Sequence, residues 1–470
     1  MSLSRPLTLT RVALLTPLAV ALLGLSGGAR AQSLQTFYDT ARDYDSAYLS
    51  AKAAAEAARY RANQAGALNL PTVGLQASTA LSKTDGSGST TAPNAQGVVT
   101  ASIAQVDGNT RNTQIGVSAQ QTLFNRANGA TLAQAERSVQ VAEVQLKAVE
   151  QDLIVRLTQG YFDVLAATDA LSTVQASKKA ISEQLASAKR NFEVGTATIT
   201  DTREAQARYD LATAQELAAT NDLQVKRLAL DQLVGKANLQ PKPLAQPVAL
   251  PPLQPALVDD WVSGAEAANP NVLQAQLAAE VAKLETEKAR AGNLPTVTLG
   301  ASYGRSYPGG STTTHLPAYD SVSRSGNGSS AGVNLTLNMP LFAGFAIQNR
   351  VKETLSLEDK ARIDLLTARR AVTQGTRSAY YGVQSGRAQV KALEAAESSS
   401  KLALEATQLG YKVGVRVNLD VLNAQTQLFQ TQASLAKARY DVIVGDMKLR
   451  QASGLLRPED VAAVNALLAK

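Results

Sequence analysis

Hydrophobic residues recur along most of this chain with the spacing of long amphipathic helices. Between residues 127 and 192, Leu132, Val139, Leu146 and Leu153 lie seven apart, and small apolar residues follow three positions later. Spacings of three and four are typical of left-handed coiled coils. At 1.5 Å per residue, this helix is expected to be about 100 Å long. The same kind of pattern predicts further helices over 34–68, 201–233, 259–292, 346–411 and 419–452.

Four short segments change to a period of two. In the first of them, Val73, Leu75 and Leu81 alternate with small or polar residues. Such alternation predicts a strand with one apolar face and one polar face. Residues 83–111 and 305–330 are rich in Gly, Ser, Thr and Asn and are predicted to be loops. The predicted strands are 72–81, 114–124, 297–303 and 333–341.

The two strand pairs belong to an internal duplication. From Leu123 to Gly235 the matching positions recur at an offset of 218 or 219 residues, and the segment that begins at Leu70 recurs 224 residues later. A constant offset over this length predicts that each half builds the same supersecondary unit. The repeated segments are Leu-Pro-Thr-Val (70–73 and 294–297), Leu-Phe (123–124 and 341–342), Tyr-Phe-Asp-Val with Tyr-Tyr-Gly-Val (161–164 and 380–383), and Val-Gly (194–195 and 413–414).

Residues outside the duplication give the domain organisation. Arg5 and Arg11 precede an apolar run, and Ala29-Arg30-Ala31 is a small-x-small cleavage pattern, so residues 1–31 are predicted to be a signal peptide. Six prolines between 241 and 255 predict a linker. The predicted division is a signal peptide 1–31, a first repeat 32–235, a proline-rich equatorial linker 236–258, a second repeat 259–454 and an equatorial tail 455–470.

Composition excludes several classes of function. The chain has no cysteine and one histidine, His315, so disulfides, thiolate metal sites and cysteine–histidine nucleophiles lack their parts. No phosphate-binding motif is present. The net charge of +7 is not concentrated in a basic patch with aromatics, which argues against nucleic acid. We therefore predict no enzyme activity, no cofactor and no metal site.

The strands point to a membrane. About ten residues with one apolar face suit an outer-membrane strand that faces lipid on one side and water on the other. Four strands cannot close a barrel, and an open edge cannot lie in lipid. The chain is therefore expected to pool strands between copies, since two copies supply eight strands and three supply twelve.

The residues that carry this pattern also resemble a known family. The repeated strand segments, the two Val-Gly turns and above all residues 410–422 are similar to the TolC family of outer-membrane efflux and secretion ducts, and the resemblance extends from Gln32 to about Asp460. It implies a mainly α fold with membrane β structure. A homotrimer would form a twelve-stranded outer-membrane β-barrel continuous with a periplasmic α-helical barrel. The implied function is an exit duct that works with a periplasmic adaptor and an inner-membrane transporter of the RND, ABC or MFS type.

The resemblance also implies a gate at the periplasmic helix tips. Residues matching Tyr411 and Arg416 tie helix pairs shut, with Asp201 as a partner of the arginine, and residues matching Asp420 and Asn423 line the narrowest ring. Family members with two acidic rings carry Asp where Asn423 stands, so weaker cation binding is expected here. From the sequence alone, Asp201 and Asp420 are also explained as helix-capping residues.

Two other classes stay open at this point. A trimeric coiled-coil stalk or adhesin without a transport role would place its strands at one chain end. A periplasmic binding protein or enzyme would not be retained in the membrane. The cargo is also open, since drugs, metal ions and exported polypeptides all fit.

Overall fold

The structure is a computed structural model that describes residues 32–93, 96–248, 250–316, 319–324 and 326–469. The predicted signal peptide, residues 1–31, lies outside the described residues. Within them the chain is mainly helical, with one antiparallel sheet.

The helices carry the predicted periodicity, and four of them begin and end within two residues of the predicted positions. These four are α3, α4, α7 and α8, and α3 is 68 residues long. No helix in the described part of the chain combines the length and apolarity needed to cross a bilayer. The helices are α1 Leu34–Tyr44, α2 Ser46–Gly66, α3 Arg126–Glu193, α4 Ile199–Val234, α5 Val258–Ala268, α6 Pro270–Ala291, α7 Ala346–Lys412, α8 Asn418–Ala452 and α9 Pro458–Asn465.

Two predicted helices are broken, so the prediction of continuous helices over 34–68 and 259–292 was wrong. Asp45 is extended and its carboxylate accepts the backbone N–H of Tyr48 at 2.8 Å, which starts α2. The side-chain oxygen of Asn269 accepts the backbone N–H of Asn271 at 2.8 Å and starts α6, with Pro270 in the first helical position. Both residues satisfy free amide groups of the following helix, so each ends one helix and starts the next.

The sheet is four strands wide, as predicted, but its strands are much longer than predicted. β1 pairs with β2, β2 with β3, and both β4 and β5 pair with the remaining edge of β3. The predicted loops 83–111 and 305–330 are largely strand, so that prediction was wrong. The bounds are β1 Thr72–Pro93, β2 Val99–Phe124, β3 Thr296–His315, β4 Asp320–Ser323 and β5 Gly328–Asn338.

The strand register shows which residues share each face of the sheet. Leu75, Val117, Tyr303 and Ala331 are cross-strand neighbours in one row. Leu75 exposes 75% of its surface and Tyr303 58%, although both lie within a sheet. An apolar face this exposed in a single chain needs a nonaqueous neighbour, and lipid suits it.

The next row belongs to the opposite face and consists of Gln76, Gly116, Gly304 and Ser330. These residues line a concavity of about 320 Å³. A side chain at Gly116 would lie 3.2 Å from the Tyr303 carbonyl oxygen, so glycine permits the close strand approach here. The concave face is thus small and polar, as the wall of a water-filled lumen requires.

Beyond Leu81 the strands continue without the apolar alternation. Pairing extends to Pro93 opposite Val99, with residues of Ser, Thr, Asp and Gly type on both faces. At the end of β3, His315 contacts Asp320 at 2.8 Å and Asp107 at 3.4 Å. Where both faces are wet, the period-two signal disappears although the backbone hydrogen bonds persist, which explains the missed strands.

An aromatic hub joins the helices at mid-height. Phe37, Tyr161, Phe162 and Tyr440 form successive ring contacts with centroids 5.3–5.5 Å apart. All four are nearly completely buried. A second buried cluster forms around Trp261, where the sequence places the start of the second repeat.

The repeated tyrosines of the two long helices hold the linker. The Tyr161 hydroxyl accepts the Lys242 amide at 2.7 Å and lies 3.0 Å from the Lys242 carbonyl oxygen. Burial raises the pKa of Tyr161, so the phenol stays protonated. Its counterpart 219 residues later, Tyr380, donates to the Ala256 carbonyl at 2.6 Å, and Trp261 donates to that of Pro255. The duplicated motif therefore anchors both ends of the linker.

A partly buried ion pair fixes the break between α1 and α2. Arg156 donates to both carboxylate oxygens of Asp45, at 3.0 and 3.3 Å, and to Asp152 at 2.6 Å. Burial alone would raise the pKa of Asp45, but the hydrogen bonds from Arg156 and from the Tyr48 amide outweigh it. The net pKa lies below the usual value near 3.8.

We expect Tyr161→Phe to destabilise the hub more than Tyr380→Phe does. The first change removes the acceptor of a buried amide, which reduces the free energy of unfolding by about 1–3 kcal/mol, whereas the second removes one donor. Thermal unfolding in detergent, followed by helical circular dichroism, measures both. Equal melting temperatures for the two variants would contradict the assignment.

Asp45→Asn is expected to lower stability by about 1 kcal/mol near neutral pH, a figure discounted because Arg156 is partly exposed. A carboxyl whose folded-state pKa is depressed stabilises the fold above its unfolded pKa and loses that contribution as the pH falls through the folded value. The melting-temperature difference from the unaltered protein should therefore shrink as the pH falls below about 5 and on through the depressed folded-state pKa. Asp43→Asn, at an exposed position two residues earlier, is the matched control and should change the melting temperature little near neutral pH.

Candidate functional site at the helix tips

The two Val-Gly turns have the same backbone hydrogen bonds. In the first, the Asn191 carbonyl accepts the amides of Thr196 and Ala197 at 2.8 and 3.1 Å. In the second, the Gly410 carbonyl accepts those of Val415 and Arg416 at 2.9 and 3.2 Å. Gly195 and Gly414 adopt positive φ angles of 78° and 82°, which favour glycine. The α3–α4 and α7–α8 hairpins are therefore built alike.

The repeats differ at the position before the turn, and the difference joins the hairpins. The Asn191 side chain donates to the Tyr411 hydroxyl at 3.2 Å. Its counterpart Gly410 has no side chain, and a Cβ there would lie 2.8 Å from the Arg416 Cγ. Glycine thus makes room for the Arg416 stem, while asparagine provides a contact between the two hairpins.

The acidic residues of the tips have local partners. The Asp201 carboxylate accepts the Thr198 amide at 3.0 Å and the Thr198 hydroxyl at 2.7 Å, and the Asp201 amide donates back to that hydroxyl at 3.2 Å. This is a capping box at the start of α4. Arg416 contacts Asp420 at 3.5 Å, within the second hairpin. Within one chain the arginine thus has Asp420 as its carboxylate, and its pairing with Asp201 stays a prediction.

Two more contacts tie the hairpins together through α8. Asn423 accepts a hydrogen bond at 3.0 Å from Arg208, which lies on α4. Asn418, at the start of α8, accepts one from Gln184 on α3. The predicted gate residue Tyr411 and the predicted ring residue Asn423 therefore both contact the first hairpin, whereas Asp420 faces Arg416.

A small apolar cluster supports the tips from above. Leu422 is 1% exposed and packs between α3 and α4, against Leu185 and three alanines. Small residues let neighbouring helices approach closely, so only a small apolar core lies next to the polar residues of the tips. The alanines are Ala188, Ala205 and Ala212.

Sequence reasoning missed Asn191 and Arg208. Neither stands in a motif, and their partners lie 220 and 215 residues away in the chain. Comparison of the two repeats provides a signal for the first residue, because asparagine replaces glycine at a position where the turns are otherwise alike. Among the described residues, no group of three or more His, Asp or Glu is arranged to hold a metal ion.

Known proteins share this sequence and architecture. The sequence model described as Outer membrane efflux protein matches residues 37–236 and 261–455. The chain is 32% identical over 449 residues to Outer membrane protein TolC of Vibrio cholerae serotype O1, covering 94% of this chain and 95% of that protein. It is 32% identical over 354 residues to the alkaline protease secretion protein AprF of Pseudomonas aeruginosa, covering 74% and 71%.

Solved structures share the fold at lower identity. The outer membrane protein VceC of Vibrio cholerae superimposes with a TM-score of 0.72 at 20% identity, over 90% of this chain and 96% of that one. The Campylobacter jejuni CmeC outer membrane channel gives 0.70 at 15% identity, over 99% and 98%.

Long coiled helices, an amphipathic sheet and paired hairpin tips define the protomer of an outer-membrane exit duct for efflux or type I secretion, located in the outer membrane with its helices in the periplasm. The chain belongs to the outer membrane efflux protein family. That family consists of channel proteins rather than enzymes. Its members are components of efflux and secretion systems that work with adaptors and inner-membrane transporters.

The capping box makes a prediction about the first tip that is independent of any gate. Thr198→Val removes the hydroxyl that links to Asp201 but leaves the carboxylate charge in place, and loss of such a cap costs about 1 kcal/mol. Hydrogen exchange of the first amides of α4 should accelerate, while exchange at the start of α8 should not change. Equal acceleration at both helix starts would contradict local capping.

Proposed function

We propose that three copies of this chain assemble into one conduit with a twelve-stranded barrel and a helical tunnel. The observation that carries the proposal is the pairing of the described strands. β1 pairs with β2 alone, and β5 with β3 alone. Unpaired backbone groups cannot face lipid, so the two edges of one sheet need edges from other copies.

The assembled duct is proposed to act without catalysis of its own. Energy would come from an inner-membrane transporter of the RND, ABC or MFS type, coupled through a periplasmic adaptor. Relatives bear names from both secretion and metal resistance, such as AprF and the cobalt-zinc-cadmium resistance protein CzcC of Cupriavidus metallidurans. The cargo of this chain is accordingly either a polypeptide or a small solute.

The helix tips are proposed to be the periplasmic gate. Tyr411 and Arg416 would hold the second hairpin against its neighbours, with Asp201 as a partner of Arg416 across the assembly. Asp420 and Asn423 would form the aperture ring. Support comes from the exposure of Arg416, whose side chain is 60% accessible in one chain, and from the bond between Asn191 and Tyr411, which already crosses between hairpins.

The domain organisation follows the same proposal. Repeats 32–235 and 259–454 would each supply two strands and one hairpin tip, while the linker 236–258 and the tail 455–470 would form an equatorial belt. The stalk or adhesin reading is disfavoured because a hairpin of strands interrupts the helices in the middle of each half.

Arg416→Ser combined with Tyr411→Phe is expected to raise single-channel conductance in planar bilayers severalfold. The double change removes the guanidinium and the hydroxyl that hold the tips, so the open population increases. The control is the single substitution Lys412→Ser, with Tyr411 and Arg416 retained. It removes a nearby charge without changing either proposed gate residue and should leave conductance unchanged.

An unaltered conductance in the double variant would refute the lock, whereas a pure monomer by native mass spectrometry, with no pore in lipid, would refute the conduit itself. The two failures are therefore separable.

A further inference from the structure

We propose that Arg208 is a selectivity residue of this duct, because it places an unpaired positive charge beside the aperture ring. This inference rests on the proposed trimeric gate and deepens it. The Arg208 guanidinium donates to the Asn423 side-chain oxygen at 3.0 Å. Asn423 is neutral, so the contact positions the guanidinium without cancelling its charge.

Nor does an acidic group form an ion pair with it within one chain. Among the described residues, no carboxylate oxygen lies within the 4.0 Å that defines an ion pair with Arg208. Within one chain, Asp420 contacts Arg416 at 3.5 Å, and the Asp201 carboxylate accepts the Thr198 hydroxyl at 2.7 Å. Glu204 lies one turn nearer the tip on the same helix and is also beyond that distance.

The contact also fixes where the charge lies. Asn423 is one turn above Asp420 on α8, and Arg208 reaches it from α4 in the other hairpin. The guanidinium is therefore held at the height of the ring. In a trimer, three such groups would stand beside the three Asp420 carboxylates.

A positive ring at a narrow mouth repels cations and admits anions more readily. The neutral Asn423 was expected only to weaken cation binding. With Arg208 beside it, the added positive charge is expected to weaken cation binding further, so a polyvalent cation should block this duct poorly and anionic solutes should enter with less resistance.

Arg208→Gln tests the charge while keeping a donor for Asn423. Arg203→Gln is the matched control, because Arg203 is an exposed residue on the same helix, nearer the tip, and has no contact with Asn423. The purified full-length assembly is placed in planar bilayers. Spermidine, a compact trivalent cation, is added on the helix side, and reversal potentials are read in a potassium chloride gradient.

Arg208→Gln should strengthen spermidine block about tenfold and shift the reversal potential toward that of potassium. The effect should shrink with rising salt, as the screening length falls from about 10 Å at 0.1 M to about 3 Å at 1 M. Arg203→Gln should change block by less than about twofold, since Arg203 is exposed and makes no contact with Asn423 that would hold its guanidinium at the ring. Asn423→Asp should also strengthen block, because the new carboxylate offsets the charge of the guanidinium.

Equal effects of Arg208→Gln and Arg203→Gln would overturn the proposal, because they would show a general tip charge. Unchanged block and reversal potential in Arg208→Gln would overturn it as well, provided that the Arg416 and Tyr411 double variant still raises conductance. If that double variant has no effect, the gate fails instead. A variant that gives the wild-type single-channel conductance before spermidine is added is folded and assembled.

Discussion

The backbone at the two edges of the sheet is the constraint on which the rest of the structure depends. A strand in lipid must satisfy all its N–H and C=O groups, and β1 and β5 each have one partner among the described strands. If other copies complete the two edges, the exposed apolar row with Leu75 would face lipid and the polar row with Gly116 would face the lumen. The helices inherit the same requirement, since α3 follows β2 after one residue and α7 follows β5 after seven.

The aromatic hub joins the two repeats between the sheet and the helix tips. Tyr161 and Tyr380 occupy equivalent positions in the repeats and fix opposite ends of the linker. The duplication therefore gives the two repeats the same backbone geometry, whereas residues that differ between the repeats make different contacts. The Asn191 and Gly410 pair illustrates this, because one residue reaches across to Tyr411 and the other makes room for Arg416.

The sequence predicts those parts of the fold whose signal is periodic and uninterrupted. Helices α3, α4, α7 and α8 begin and end where their heptads and glycine turns indicate. The strand extensions beyond Leu81 were missed because polar residues on both faces leave no alternation. The breaks at Asp45 and Asn269 were missed because a capping residue within an alanine-rich run resembles a solvated position. At the tips, motif residues such as Tyr411 were predictable, but Arg208 is defined only by its contact with Asn423, and contacts over such separations require the fold.

The long strands have a consequence for how cargo leaves. About twelve residues of β1 continue past the apolar band, which is roughly 40 Å along the strand. The other strands end lower, since β5 pairs with β3 only as far as Ser306 and β4 adds a short segment at 312–315, so the β1–β2 hairpin extends farthest. In an assembly of such chains, released molecules would therefore pass an uneven polar rim that is highest at each β1–β2 hairpin.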